Sequence, residues 1–410
     1  MQRRLAAGVR ASAGMAGAVL LLTTACSGDG DGGGVTVGGN GEAGAPQVTV
    51  TPGNGDGKAK PEVGVQVTVT GGTLEQVTVT RGGKPVEGAM ANDKTGWKSR
   101  TLKPGSSYQV NAVARSPKGK TTTVTARFST LKAANPLAVT DVTPSAGETV
   151  GVGMPIMVTF NRAVGDRKAV EQALEVRSTK PAVGAWYWVS DTQVIFRTQN
   201  GQYWKPNQRV SLKAKLAGVK AGAKVYGTND FTRSFKIGNS QITTVSTKTK
   251  RAVMKVNGKV RKQWKISAGK GGRVRNGVDT YLTTSGIHLT MSKHLVERMT
   301  SAWMGVTDKK HPEYYDLKLP HAVRISDSGE YLHASPDRYW AFGRVNASHG
   351  CVNMPPPIAA WYYGVTNRGD VVVITGSKRG LAWNNGWSYY QMPWSKWVKG
   401  SALDRTVTTG

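Results

Sequence analysis

The sequence predicts a mainly β chain: two tandem β-sandwiches, then a third, all-β or mixed domain carrying one short helix. Three observations predict it. Apolar residues recur at every second position over residues 46–238, as in Val48 and Val50 or Val65, Val67 and Val69, the period of a half-buried strand. Turn clusters such as P-G-N-G-D-G, R-G-G-K-P and S-P-K-G-K punctuate these runs, at the spacing of a sandwich rather than of βαβ units. Further on, Asn257-Gly258 separates two alternating runs, the strongest short-range hairpin signal. With 410 residues the chain has room for two to four domains.

Residues 1–25 read as an export signal. Arg3, Arg4 and Arg10 form its charged region, Met15 to Leu22 its apolar stretch, and the small Ala25 precedes Cys26. L-L-T-T-A-C resembles a bacterial lipobox, with Thr23 where leucine is commoner. The resemblance implies that the Cys26 thiol takes a diacylglycerol and becomes the mature N-terminus. The apolar run is shorter than the roughly 20 residues of a spanning helix. Residues 26–45 then form a lipidated Cys and a Gly-rich tether without core-forming residues, with a root-mean-square reach on the order of 25 Å. The chain has two cysteines. If Cys26 is lipidated and Cys351 is reactive, the exported chain has no disulfide and depends on core burial.

The first sandwich covers residues 46–132, with Val77, Val79, Val110, Val124 and Phe128 as further inward positions. The second covers 136–238. Its strands include Pro155 to Phe160, Trp186 to Val189 and Thr192 to Phe196, with a Ser-Asp turn between the last two. Ala169 to Leu174 reads as a short helix, and Lys205-Pro206-Asn207 as a turn before Val210 to Leu216. Trp186 and Trp188 occupy alternating positions of one strand and are expected in a core or interdomain face rather than on a glycan. The third domain covers 239–376. It opens with strands at Ile242, at Ala252 and from Val260 to Ile266, then a glycine- and arginine-rich loop, G-K-G-G-R-V-R-N-G. That loop lacks the G-x-x-x-x-G-K-[ST] spacing of a phosphate-binding loop. Asp279 to Thr284 is expected to rejoin the sheet. Pro355-Pro356-Pro357 leads into Ile358-Ala-Ala-Trp-Tyr-Tyr, a proline start that suits a short helix just after Cys351, whose positive end would favour a thiolate. Asp370 to Thr375 is a closing strand. The tail, 377–410, is Trp-rich, with Trp383, Trp387, Trp394 and Trp397.

Chemistry concentrates in Ser348-His349-Gly350-Cys351-Val352-Asn353, preceded by Tyr331-Leu332-His333. A thiol becomes a competent nucleophile when a nearby imidazole takes its proton. Glycine beside the nucleophile lets backbone N–H groups approach closely, as an oxyanion site requires. Apolar burial of an inert cysteine would not call for His-Gly before it and Asn two residues after it.

His333, fourteen intervening residues and S-H-G-C-V-N resemble the signature of the L,D-transpeptidase (YkuD-type) catalytic domain, H-x(14–17)-[ST]-H-G-C-x-N, over roughly residues 240–375. The two preceding blocks resemble the bacterial immunoglobulin-like modules of actinobacterial L,D-transpeptidases. The resemblance implies that the Trp-rich tail packs back on the neighbouring module. It also implies a chemistry. Cys351 attacks the carbonyl of the diamino acid at the third position of a tetrapeptide donor stem, D-Ala leaves, and a thioester forms. The side-chain amine of a second stem's diamino acid then resolves it as a 3→3 peptidoglycan cross-link. His333 would act as general base or hold a thiolate–imidazolium pair, oriented by the carbonyl of Ala334. Backbone N–H groups of His349, Gly350 and Cys351 would form the oxyanion site. Ser348 and Asn353 would fix the loop and the substrate, His349 would position substrate, and Tyr315 would lie near substrate and oxyanion. Tyr281 to His294 would supply the sheet floor or a lid, and Met304 to Leu319 a substrate-covering loop.

No cofactor or metal is expected. His288 and His294 lack an H-E-x-x-H frame, and His311 and His321 read as surface or loop residues. The net charge of +30 would suit nucleic acid in another compartment, but no nucleic-acid-binding motif is present. Anionic wall polymers and lipid headgroups are the expected partners, although scattered lysines serve solubility equally well. The expected setting is the outer face of the membrane, lipid-anchored and monomeric within the wall. Two alternatives stay open: an L,D-carboxypeptidase, with water as acceptor, and a non-catalytic wall-binding lipoprotein. Sortases use T-L-x-T-C with a later Arg, which the S-H-G-C-V-N context does not fit, and NlpC-type peptidases place Cys before His, whereas no His follows Cys351.

Overall fold

The computed structural model describes residues 35–38, as backbone, and 44–410. The export signal, Cys26 and most of the tether lie outside the described residues. One part of the tether does not match the sequence expectation: Val35–Gly38 pairs antiparallel with Gln47–Thr51 as an edge strand. Its Val-Thr-Val alternation copies that of its partner, so the same pleat suits both.

Residues 47–129 form two antiparallel sheets packed face to face. Between them lie Val48, Val50, Val67, Leu74, Val110 and Phe128, all buried. Residues 135–237 form a second sandwich, whose core holds Ile156, Val158, Trp186, Phe196, Trp204 and Phe235. The helix there is Arg167–Gln172, capped by Asp166, whose carboxylate accepts from Ala169 N–H; Leu174 already belongs to the next strand. The two sandwiches meet through a bidentate Arg100–Asp230 pair at 2.8 Å.

The third domain builds two sheets. The first has the order β3-β2-β1-β9-β4, from β1 (Gln241–Ser246), β2 (Arg251–Val256), β3 (Lys259–Lys265), β4 (Gly286–Leu289) and β9 (Val371–Thr375). Asn257 and Gly258 turn β2 into β3 with φ of 48° and 84°, the left-handed pair a two-residue hairpin needs. The second sheet runs β5 (Lys293–Thr300), β6 (Asp316–Arg324), β7 (Tyr331–Ala334), β8 (Val352–Met354). Helix α1 (Pro356–Val365) follows β8. The core is closed by Val245, Met254, Trp264, Leu332, Val352, Ala359, Tyr362 and Ile374.

Three expectations change here. Asp279 to Thr284 does not rejoin the sheet. Val278–Asp279 pairs with Val274–Arg275 in a small hairpin built from the glycine–arginine loop, and β4 restores the sheet seven residues after Asp279. The short helix expected after Cys351 is present, but β8 intervenes, so it begins at Pro356 rather than directly after the cysteine. His321, expected on a loop or surface, lies within β6, its ring packed edge-on against Tyr363 at 5.6 Å.

The tail locks the modules together. Trp397 is fully buried, stacked on Tyr187 at 4.7 Å, and its indole N–H donates to the Ala185 carbonyl at 3.0 Å. Arg197 is buried among the rings of Tyr390, Trp394 and Trp397, where burial lowers its pKa to about 10. Val407 and Thr408 add a last strand to the second sandwich, while Gln391 reaches across to Ile287 N–H of β4 at 2.7 Å. Trp397→Ala is therefore expected to cost about 3–5 kcal/mol, the range for emptying a buried aromatic site. Thermal unfolding should show a lowered transition for the second sandwich. An unchanged transition would mean that the tail is not a structural strap.

Candidate active site

The site sits where the second sheet switches from antiparallel to parallel pairing. β7 and β8 run parallel, with Leu332 opposite Val352 and His333 opposite Asn353. Parallel neighbours need a long connection, and residues 335–351 supply it, ending in the loop that carries Cys351. That loop is tied down on both sides. Ser348 N–H donates to the Ala268 carbonyl at 3.0 Å and Lys270 N–H to the Ser348 carbonyl at 2.9 Å. Asn353 exchanges backbone bonds with Ser267 at 2.8 and 3.1 Å. Inside the loop, Ser348 Oγ donates to the Cys351 carbonyl at 2.6 Å and accepts from Gly350 N–H at 3.2 Å. Gly350 has φ of 135°, a conformation that side chains with a Cβ disfavour.

His333 is buried, and its Nδ1 lies 2.8 Å from the Ala334 carbonyl. A carbonyl only accepts, so the proton sits on Nδ1 and the lone pair on Nε2, the tautomer a general base needs. Ser335 Oγ lies 3.3 Å from the same nitrogen. Burial lowers the His333 pKa to about 4 despite that bond, with Arg338 adding to the shift. Burial also pushes the Cys351 thiol up to about 12, and the nearby Glu330 carboxylate opposes its ionisation further. Both shifts favour a neutral thiol and a neutral imidazole near pH 7, which supports the general-base alternative over a preformed thiolate–imidazolium pair. The thiol contacts the Gly329 carbonyl at 3.7 Å and Met299 sulfur at 4.0 Å.

A second element packs on the cysteine loop. β5 and β6 form a hairpin whose tip, from Ser301 to Tyr315, folds inward. Tyr315 stacks on His349 at 5.2 Å, and Tyr281 packs on the same imidazole at 4.5 Å. Trp303 Nε1 donates to Tyr315 Oη at 2.5 Å. Burial, with Lys270 and Arg338 contributing, lowers the His349 pKa to about 4, so its ring is a neutral stacking surface. The glycine–arginine hairpin fastens the tip. Arg273 pairs with Glu313, Tyr281 Oη donates to Glu313 Oε1 at 2.9 Å, and Arg275 reaches the Met304 carbonyl at 2.8 Å.

Of the residues expected from sequence, Cys351, His333, Ala334, His349, Gly350, Ser348 and Tyr315 converge here. Two details differ. Gly350 N–H is held by Ser348 Oγ, whereas the N–H groups of His349 and Cys351 have no acceptor among the described residues. Two of the three expected oxyanion donors thus remain available. Asn353 is buried beneath the loop, 2% exposed, so it fixes the loop through its backbone and does not face substrate. Among the described residues no group of His, Cys, Asp or Glu is arranged to hold a metal. His294 is exposed on β5 beside Glu297, and His311 accepts from Glu313 N–H on the loop. His288 instead joins a buried cluster that sequence reading missed. Thr284 donates to Glu330 from its backbone at 2.7 Å and from its hydroxyl at 2.5 Å, and His288 Nε2 lies 2.8 Å from that hydroxyl. A glutamate between Gly329 and Tyr331 looks like a surface charge in sequence, and nothing local announces its burial.

A thiol, a histidine of fixed tautomer and outward backbone amides, on a β domain behind two sandwiches, form the arrangement of a cysteine acyl-transfer enzyme. Comparison with known proteins narrows this. Residues 240–374 match the L,D-transpeptidase catalytic domain, and residues 56–220 a bacterial Ig domain. L,D-transpeptidase 2 of Mycobacterium tuberculosis is 33% identical over 343 residues, covering 82% of this chain and 80% of that one. L,D-transpeptidase 5 of the same species is 29% identical, covering 83% and 73%. A solved L,D-transpeptidase from Mycobacterium smegmatis is 28% identical, covering 59% of this chain and 100% of that chain, with a TM-score of 0.47. The chain belongs to the L,D-transpeptidase family.

Proposed function

We propose that this chain is a peptidoglycan L,D-transpeptidase with Cys351 as nucleophile and His333 as general base. The observation that carries the proposal is the pairing of β7 with β8, which sets His333, its Nδ1 proton committed to Ala334, two register positions from Cys351. In the reaction, Cys351 Sγ adds to the carbonyl of the donor's third residue as its proton passes to His333 Nε2. The oxyanion meets the N–H groups of His349 and Cys351. Collapse breaks the bond to D-Ala, whose amine takes the proton from His333, leaving a thioester. An acceptor amine then attacks, His333 takes its proton, and the thiol is regenerated with a new amide bond. Tyr315 and the ring of His349 form the wall against which the stem lies, and the tip from Ser301 to Tyr315 excludes the water that would divert the thioester to a tripeptide.

The test is product analysis. The full chain is incubated with a disaccharide tetrapeptide and the products are separated by mass. A cross-linked dimer with release of one D-Ala is expected. Tripeptide alone would assign the chain to L,D-carboxypeptidase activity instead.

We also propose that the chain is exported and lipid-anchored through Cys26, which the lipobox-like L-L-T-T-A-C supports. Two signals are usually needed for firm membrane attachment, and a diacylated cysteine supplies two chains at once. Protein recovered from an actinobacterial host should partition with membranes and begin at an acylated Cys26, and Cys26→Ala should release it. Equal partitioning of both forms would remove the anchor.

A further inference from the structure

The cluster beneath the cysteine loop has no part in the proton transfers above, yet one of its bonds, from Thr283, grips the peptide group between Gly350 and Cys351. Thr283 Oγ1 donates to the Gly350 carbonyl at 2.6 Å and accepts from Gly269 N–H at 2.8 Å. The peptide that carries this carbonyl also carries the N–H of Cys351. In a trans peptide the two point in opposite directions. Fixing the carbonyl toward Thr283 therefore aims the Cys351 N–H away from Thr283, and that N–H is one of the two without an acceptor among the described residues. Withdrawing electron density through the carbonyl also strengthens the opposite donor, as in other hydrogen-bond chains.

Thr283 is itself held. It is 1% exposed, and its neighbour Thr284 is 2% exposed, with both backbone and hydroxyl donating to Glu330. Glu330 is 3% exposed and stays ionised below the ordinary glutamate range, burial being outweighed by His288 and by the two Thr284 bonds. His288 Nε2 supplies the other side of the Thr284 hydroxyl and lies 3.7 Å from Glu330. Glu330 directly precedes β7, the strand that bears His333. One buried carboxylate thus links the strand of the base to the segment that grips the nucleophile's peptide. A carboxylate beside a thiol also disfavours thiolate, so its retention there is not explained by activating Cys351 as an anion.

We propose that Thr283, Thr284 and Glu330 are positioning residues that orient the Gly350–Cys351 peptide so that the Cys351 N–H serves as an oxyanion donor. This rests on the acyl-transfer reading of Cys351.

The distinguishing measurement compares two reactions of the same thiol in the full chain. Acylation by a carbapenem passes through a tetrahedral oxyanion, whereas alkylation by iodoacetamide does not. Loss of a whole oxyanion donor costs about 10²–10³-fold; misaiming one should cost on the order of 10–100-fold. Thr283→Val and Glu330→Ala should slow acylation by that factor while alkylation stays within about twofold. Thr283→Ser, which keeps the hydroxyl, and Glu330→Gln, which keeps an acceptor for Thr284 N–H, should restore most of the acylation rate. Acylation unchanged in Thr283→Val and Glu330→Ala would overturn the inference. So would a parallel fall of both reactions in these variants, because that marks general loss of structure. A wild-type chain that is alkylated but never acylated would remove the acyl-transfer reading, and the inference with it.

Discussion

Cys351→Ala is expected to abolish turnover of a tetrapeptide stem, with D-Ala release falling by on the order of 10⁶-fold, the scale seen when a covalent nucleophile is removed. The reason is chemical rather than structural. The Cys351 thiol is the one group in the loop able to form a thioester, and the only other cysteine of the chain is Cys26, outside the domain. The sulfur's contacts with the Gly329 carbonyl and the Met299 sulfur are long, at 3.7 and 4.0 Å. Truncation of the side chain should therefore leave the unfolding temperature within a few degrees of wild type. Release of D-Ala can be followed with a coupled oxidase assay. Appreciable residual release by the variant would mean that another group carries the reaction.

The second large effect belongs to His333. His333→Ala should lower the acylation rate by about 10²–10⁴-fold, the usual worth of a positioned general base. The pH dependence carries more information. Burial holds the pKa of the free-enzyme imidazole at about 4, and a base works only in its neutral form. The acylation rate should therefore stay level from pH 8 down to about pH 5 and fall as pH drops through about 4. An ordinary, solvated histidine would instead lose activity near pH 6.5. The same depression has a stability consequence of fixed sign. The unfolded chain takes up the His333 proton below pH 6.5 and the native chain only near pH 4, so stability declines as pH falls through that window. Carbapenem acylation measured from pH 4 to 8, corrected for the folded fraction, checks the rate profile. A midpoint near 6.5 would show that the imidazole is not desolvated in the working enzyme.

Much of this was legible before the fold. The alternation of valines in the sandwiches, the Asn257-Gly258 turn and the spacing of His333 to S-H-G-C-V-N are local patterns, and local patterns survive in one dimension. The Ala334 carbonyl was expected from the family resemblance, not from the pattern of residues itself. What escaped the sequence is non-local or runs against residue type. Val35–Gly38 was hidden because its glycine-rich surroundings read as tether. Asp279 to Thr284 resembles a strand, but its hydrogen bonds go to Glu330, Gly350 and the glycine–arginine hairpin rather than to a neighbour in the sheet. Glu330 and His288 are polar residues in a buried place, and only the packing of β4 and β7 around the cysteine loop brings them together. Asn353 looked like a substrate contact from its place in the motif, yet the parallel pairing of β7 with β8 sets it beneath the loop. The shifts that favour a neutral thiol and a neutral imidazole come from burial, which residue spacing does not show.

The central claim is that Cys351 is an acylable nucleophile served by His333. The most direct test is intact-mass analysis of the full chain after incubation with a carbapenem, followed by peptide mapping. One adduct per chain, carried by the peptide that contains Cys351 and absent from Cys351→Ala, is the predicted result. A folded wild-type protein that stays unmodified, or an adduct that persists in Cys351→Ala, would contradict it.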